Sequence, residues 1–186
     1  MSRLGLNLPN LITLGRLMLV PLAVWLIVNG RYGMAFWVLV LAGISDALDG
    51  YIAKRFDRRT QLGALLDPIA DKALLVSLYV TLGIAGQLPS WLVILVVFRD
   101  AMIVGGFVLI QSIVAPHRFD PLYISKLNTL LQIALVGFVL ARLGLAVNAD
   151  LAVFALVLAV AVTTVLSGLF YLVRWARILA RSEEAL

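Results

Sequence analysis

Six long apolar runs govern what this chain can become. They lie at roughly 8–29, 34–55, 62–85, 90–114, 122–144 and 150–176, each near the length of helix, about 20 residues, that crosses bilayer hydrocarbon. Little chain is left between them. Of all residues 63% are hydrophobic and 13% charged, whereas a water-soluble domain carries roughly 45–50% apolar and about 25% charged residues. The sequence therefore reads as an all-α integral membrane protein of six transmembrane helices, a single domain over residues 1–186. Pro9 and Pro89 stand where the first turn of a helix tolerates a missing N–H, and Asn29-Gly30 and Gly86 are expected to stop spans. No cleavable signal is expected at the start. The chain has no cysteine, which removes disulfides, thiolate metal sites and Cys nucleophiles together.

The basic residues set an orientation, because loops kept in the cytoplasm are rich in Lys and Arg. With both termini cytoplasmic, Arg3, Lys54, Arg55, Arg58, Arg59, Arg118, Lys126, Arg174, Arg177 and Arg181 fall on that side, and only Arg31 and Arg142 face outward. The net charge of +5 then reports loop topology, and no nucleic-acid partner is expected. The setting expected is a bacterial cytoplasmic membrane. Arg16, Lys72, Arg99, Asp46, Asp49, Asp67, Asp71 and Asp100 remain inside spans. Ionisable groups there cost a few kcal/mol or more, so they are paired, metal-bound or functional.

Asp46 and Asp49 close the second run while Asp67 and Asp71 open the third, across a short cytoplasmic connection. Residues three or four apart share a helix face, so each helix should offer two carboxylates to the other. Four close anions cannot all stay ionised at low dielectric without cations. Hard oxygen ligands with no His or Cys beside them select Mg²⁺, Mn²⁺ or Ca²⁺ over zinc. Gly50, Ala53 and Gly63 leave room for a bulky anion against bare backbone, and a metal-bridged diphosphate fits. Lys54, Arg55, Arg58 and Arg59 lie beside it, serving either as phosphate contacts or as a topology signal.

The stretch from Asp46 to Asp71 resembles the signature of the CDP-alcohol phosphatidyltransferase family, D-x2-D-G-x2-A-R-x8-G-x3-D-x3-D. Lys54 stands where the family has Arg, and Arg55 follows it. The resemblance implies a reaction in which an acceptor hydroxyl attacks the lipid-side phosphorus of a lipid-linked CDP, usually CDP-diacylglycerol, and CMP leaves. It also implies that Asp46, Asp49, Asp67 and Asp71 hold divalent metal ions, probably two and either Mg²⁺ or Mn²⁺, on the diphosphate. Asp71 is the implied general base, although a carboxylate touching a cation is a weaker base, and orienting the hydroxyl is its other role. Asn10, Thr13, Asp49, Gly50, Ala53, Lys54, Arg55 and Gly63 are the implied contacts to CDP-diacylglycerol, and related transferases are homodimers.

The acceptor is read from residues outside the signature. Asn10, Thr13 and Arg16 form a stripe on the first span that should face the site, with Arg16 about two turns inside. Arg99 in the fourth span and Lys126 in the fifth complete the candidate acceptor contacts. Arg99 and Asp100 are adjacent, and neighbours on a helix do not face each other, so each is expected to take another partner. In family members that use glycerol-3-phosphate, a second Arg follows the fourth-span Arg by eight positions, and the fifth span opens Gly-Lys-x-Lys-Thr. Here those places hold Phe107 and Ser125-Lys126-Leu127-Asn128-Thr129. The loss of two cations suits an acceptor with one diester charge, phosphatidylglycerol, and the runs Ile124-Ser125-Lys126-Leu127-Asn128-Thr129 and Asp67-Pro68-Ile69-Ala70-Asp71-Lys72 resemble the eukaryotic-type cardiolipin synthases of the family. Glycerol-3-phosphate is the alternative acceptor, and a divalent-cation transporter is a remote rival.

Other features invite plainer readings. His117 is expected on a surface loop. Trp25, Trp37, Trp91 and Trp175 are expected as interface anchors or lipid-facing packing. Gly105-Gly106, Gly137 and Gly168 should allow close helix approach, and Arg174, Arg177 and Arg181 should lie over anionic headgroups.

Overall fold

The structure is a computed structural model that describes residues 8–56, 61–113 and 122–183, with side chains described over 15–45, 72–106, 109, 122–178 and 180. Among these residues the chain is all helical: α1 Leu8–Val28, α2 Tyr32–Phe56, α3 Gln61–Ile84, α4 Ser90–Ile113, α5 Tyr123–Leu145 and α6 Asp150–Glu183. Five of the six match the apolar runs to within two residues at each end. The sixth runs further, to Glu183, because hydropathy falls after Trp175 while the residues there, Ala176-Arg177-Ile178-Leu179-Ala180-Arg181, remain good helix formers.

The stop signals act as expected. At the end of α1, the N–H of Gly30 donates to the Ile27 carbonyl at 3.0 Å and that of Arg31 to Leu26 at 2.8 Å. Gly86 and Gln87 repeat the pattern on Gly83 and Leu82. These are Schellman caps, whose left-handed residue is normally glycine, and Gly30 and Gly86 have φ of 69° and 70°.

The chain divides into two compact units. The first comprises Met1–Gln87 with Val136–Ala149. In it α1 packs against both α2 and α3, around a core that includes Ala23, Ile27, Ala35, Leu78, Tyr79 and Leu140. The start of α2 meets the end of α5 through two glycines: a Cβ on Gly144 would stand 2.1 Å from the Gly33 nitrogen. The second unit comprises Leu88–Leu135 with Asp150–Leu186, where α4 packs on α6. A Cβ on Gly106 would strike the Trp175 ring at 2.2 Å, and Gly168 lies against Met102. Gly105, by contrast, has open space around it, so of the expected close-packing pair only Gly106 serves, and Trp175 is a packing partner of α4.

Polarity is distributed the opposite way from a water-soluble bundle. The exposed positions include Met34, Trp37, Leu41 and Ile44 along α2, and Leu151, Phe154, Leu158 and Val162 along α6, each at helical spacing. The buried ones include Arg16, Arg99, Asp100, Asn128, Gln132, Thr163, Thr164 and Ser167.

Candidate functional site

The polar interior of the second unit is built around Arg99, midway along α4 and only 3% exposed. Its Nη1 donates to the Asp100 Oδ1 at 2.6 Å. Its Nη2 donates to the Ser125 Oγ on α5 at 2.6 Å and also to the Ser167 Oγ on α6. The guanidinium carbon lies 6.0 Å from the Tyr171 ring centroid, within the range of a cation–π contact. Three helices thus converge on one buried cation. The direct pairing of Arg99 with Asp100 departs from the expectation that the two would not face each other, while Ser125 and Ser167 are the further partners expected for Arg99. Neighbouring Cβ positions diverge by about 100° on a helix, but the long Arg stem can curl its head group back to a short carboxylate. Of its remaining donors, the Nε is buried and has no hydrogen-bond partner.

A second layer lies one turn along. Asn128 is fully buried, and its Oδ1 accepts hydrogen bonds from the Thr163 hydroxyl at 2.8 Å and the Thr164 hydroxyl at 3.0 Å. Its Nδ2 is buried without a partner. Spacing explains the assembly: Ser125, Asn128 and Gln132 fall on one face of α5, and Thr163 or Thr164, Ser167 and Tyr171 on one face of α6, at intervals of three or four. Sequence reasoning singled out Arg99 but missed Asn128, Thr163, Thr164, Ser167 and Tyr171 as its company. The signal was present as small polar residues recurring at helical spacing within the apolar α6.

Lys126, the third cation expected near the acceptor, is exposed, with its Nζ 5.6 Å from the centroid of the neighbouring Tyr123 ring. It stands apart from the buried cluster, although the adjacent Ser125 belongs to it. Arg16 is 2% exposed in the first unit, so its head group does not reach out along a short snorkelling path.

Asn10, Thr13, Asp46, Asp49, Gly50, Ala53, Lys54, Arg55, Gly63, Asp67 and Asp71 lie on helical backbone in α1, α2 and α3, and their side chains are outside the described residues. Arg58, Arg59 and His117 lie outside them altogether. Among the described residues no three His, Cys, Asp or Glu side chains gather as a metal site. The helical backbone does put Asp46 and Asp49 on one face of α2, and Asp67 and Asp71 on one face of α3. α1 packs against both of those helices. A donor set of carboxylates alone suits a hard divalent ion.

Comparison with known proteins identifies the family. The model of the CDP-alcohol phosphatidyltransferase family matches residues 6–166, and the chain belongs to that family. A probable CMP-forming cardiolipin synthase of Drosophila melanogaster is 35% identical over 148 residues, covering 71% of this chain and 46% of the fly protein. The CMP-forming cardiolipin synthase of Homo sapiens is 34% identical over 151 residues, or 73% of this chain and 50% of the human protein. The chloroplastic CDP-diacylglycerol–glycerol-3-phosphate 3-phosphatidyltransferase 1 of Oryza sativa subsp. japonica is 39% identical over 149 residues, 71% of this chain and 45% of the rice protein. The chain spans about half the length of these curated relatives. The resemblance read from the signature is borne out, and membership of a transferase family removes the ground for a cation transporter. Relatives of similar identity come from an insect, a mammal, a plant and bacteria such as Streptomyces coelicolor.

Proposed function

We propose that the chain is a membrane-embedded phosphatidyltransferase that moves a phosphatidyl group from CDP-diacylglycerol to phosphatidylglycerol, forming cardiolipin and CMP. The carrying observation is the ion pair and the hydrogen bonds that already engage Arg99. Asp100 neutralises the guanidinium, and Ser125 and Ser167 occupy its second terminal nitrogen. Such a cluster has no spare fork for a dianionic phosphate monoester, which calls for several uncompensated cations. It suits a headgroup with one diester charge. The rice relative, 39% identical, favours a second reading in which glycerol-3-phosphate is the acceptor.

In the proposed reaction an acceptor hydroxyl forms a new oxygen–phosphorus bond at the lipid-side phosphorus of CDP-diacylglycerol, the bridging bond to the CMP phosphate breaks, and CMP departs. Asp71 takes the hydroxyl proton or orients the hydroxyl. Asp46, Asp49, Asp67 and Asp71 would hold Mg²⁺ or Mn²⁺, whose chemistry when bound is to neutralise the diphosphate and stabilise the departing oxygen. Asn10, Thr13, Gly50, Ala53, Lys54, Arg55 and Gly63 would seat the nucleotide end. Arg16, Arg99 and Lys126 would seat the acceptor. All six helices would span the membrane with both termini and the site on the cytoplasmic side, in a homodimer.

The test is reconstitution in liposomes holding labelled CDP-diacylglycerol, with phosphatidylglycerol and glycerol-3-phosphate supplied in parallel. Cardiolipin and CMP are the expected products, lost on addition of a chelator and restored by Mg²⁺ or Mn²⁺. Asp→Asn changes at 46, 49, 67 and 71 should each lower CMP release by about 100-fold or more. Consumption of the soluble acceptor alone overturns the choice of phosphatidylglycerol, and CMP release that ignores chelation overturns the metal assignment.

A further inference from the structure

Each group that α6 brings to Arg99 lies past residue 166, where the match to the family model ends. Ser167 accepts from the guanidinium, the Gly168 backbone lies beside the Arg99 stem, and the Tyr171 ring lies under the guanidinium carbon with its centroid 6.0 Å away. Trp175 follows one turn on, its ring centroid 5.8 Å from that of Tyr171 and the two planes at 49°. Trp175 is itself seated on α4, because its ring fills the space that a Cβ on Gly106 would need. Residues 167, 171 and 175 are four apart and share one face of α6, and 99 and 106, seven apart, share one face of α4. The contacts close a circuit within the second unit: Arg99 to Tyr171, to Trp175, to Gly106 and back along α4.

The edge and the face of the guanidinium are held by different means. Asp100, Ser125 and Ser167 take hydrogen bonds from its two terminal nitrogens. Fixing two atoms of a plane leaves it free to swing about the line that joins them, and the third nitrogen, Nε, has no hydrogen-bond partner to stop that swing. The Tyr171 ring supplies the missing constraint, since the negative face of an aromatic ring attracts a guanidinium at this range. The ring and not the hydroxyl does this, because the hydroxyl makes no hydrogen bond among the described residues. An aliphatic side chain would fill the same space but has no negative face. Trp175 keeps the Tyr171 ring from turning, and the bare backbone of Gly106 lets Trp175 sit where it can do so.

We propose that Tyr171 is a positioning residue that sets the plane of the Arg99 guanidinium for the acceptor headgroup, with Trp175 acting through Tyr171. This rests on the proposed role of Arg99 in seating phosphatidylglycerol. With both terminal nitrogens already engaged, what Arg99 offers an acceptor depends on how its plane is turned, because a guanidinium presents its donors in a rigid planar fork. A group displaced by about 1 Å from its working position can cost up to about 100-fold in rate.

The experiment compares the full-length chain with Tyr171→Phe, Tyr171→Leu, Trp175→Leu and the double variant Tyr171→Leu with Trp175→Leu in liposomes. KM for phosphatidylglycerol, KM for CDP-diacylglycerol and the thermal midpoint in detergent are measured for each. Tyr171→Phe keeps the ring and should keep the wild-type KM for phosphatidylglycerol. Tyr171→Leu should raise that KM about fivefold and leave KM for CDP-diacylglycerol unchanged. Trp175→Leu should raise it by a smaller factor, and the double variant should be no worse than Tyr171→Leu, since residues that act in one chain of contacts are not additive. If Tyr171→Leu fails to fold, replacement of Tyr171 by a phenylalanine bearing electron-withdrawing fluorines decides the matter. That ring keeps its shape but loses its negative face, and its KM for phosphatidylglycerol should exceed that of Tyr171→Phe. A Tyr171→Leu variant with the wild-type KM and only a lower thermal midpoint overturns the inference and makes the ring simple packing, as does a Tyr171→Phe variant impaired as badly as Tyr171→Leu. Effects that multiply in the double variant overturn the action of Trp175 through Tyr171. A wild-type chain that forms no cardiolipin overturns the proposed transfer and this inference together, whereas cardiolipin formed with an unchanged KM by Tyr171→Leu overturns the inference alone.

Discussion

At the scale of single residues, Arg99 carries both structure and proposed chemistry, and the two roles can be separated. Breaking a buried ion pair by removing one partner typically costs about 3–5 kcal/mol, because the other charge is left uncompensated. Asp100→Asn and Arg99→Met should each lower the thermal midpoint in detergent. The double change Arg99→Met with Asp100→Leu should recover much of that loss while transferase activity stays at least about 100-fold down. A double variant no more stable than the singles would mean that Ser125 and Ser167, and not Asp100, carry the energy of the cluster. Cation, carboxylate and hydroxyls all stand in the sequence, but the pairing of Arg99 with its own neighbour does not. It depends on how the side chain curls once Ser125, Ser167 and Tyr171 have closed around it.

At the scale of elements, the caps and the glycine contacts decide where helices stop and how near they come. The α5 terminus lacks the glycine that ends α1 and α3. Ala146 itself adopts φ of 54°, a left-handed conformation that costs an L-residue roughly 1–2 kcal/mol. Ala146→Gly should therefore stabilise the protein by up to about 1 kcal/mol, after the glycine entropy cost is subtracted. Gly144→Ala should act in the other direction. Its Cβ would meet the backbone of Gly33 and not a mobile side chain, so the loss should be about 1–3 kcal/mol, the usual size of an overpacking penalty. Both are read as shifts of the thermal midpoint, and a neutral Gly144→Ala would show that α2 and α5 can separate freely. Gly30 and Gly86 were readable as stops because left-handed caps demand glycine locally. The Gly33 and Gly144 pair was not, because each has meaning only when a distant residue arrives opposite it.

At the scale of the whole molecule, exposed apolar stripes and a polar interior call for a solvent without hydrogen bonds of its own. Tyr123–Leu145 and Asp150–Ile178 are long and apolar enough to cross a membrane by length and composition, and the described parts of α1, α2 and α3 include shorter apolar stretches. The 34 residues of α6 measure about 51 Å at 1.5 Å per residue, against about 30 Å of hydrocarbon, so its basic end should project into water. Because the chain has no native cysteine, single replacements report sidedness without background. In intact cells an impermeant maleimide should label Arg31→Cys, and Arg177→Cys only after permeabilisation. Labelling of both from one side would overturn the proposed orientation.

The helices, their order, their apolar character and the family were determined by sequence alone, since periodicity, caps and a long acidic signature are local patterns carried on the chain itself. Tertiary structure alone decided that Arg99 is already neutralised, that Asn128 is gripped by its oxygen with its nitrogen left open, and that Gly144 must be bare. Each of those facts is a relation between residues far apart in the chain, and the free energy that sets it arises only when packing brings them together and keeps water out.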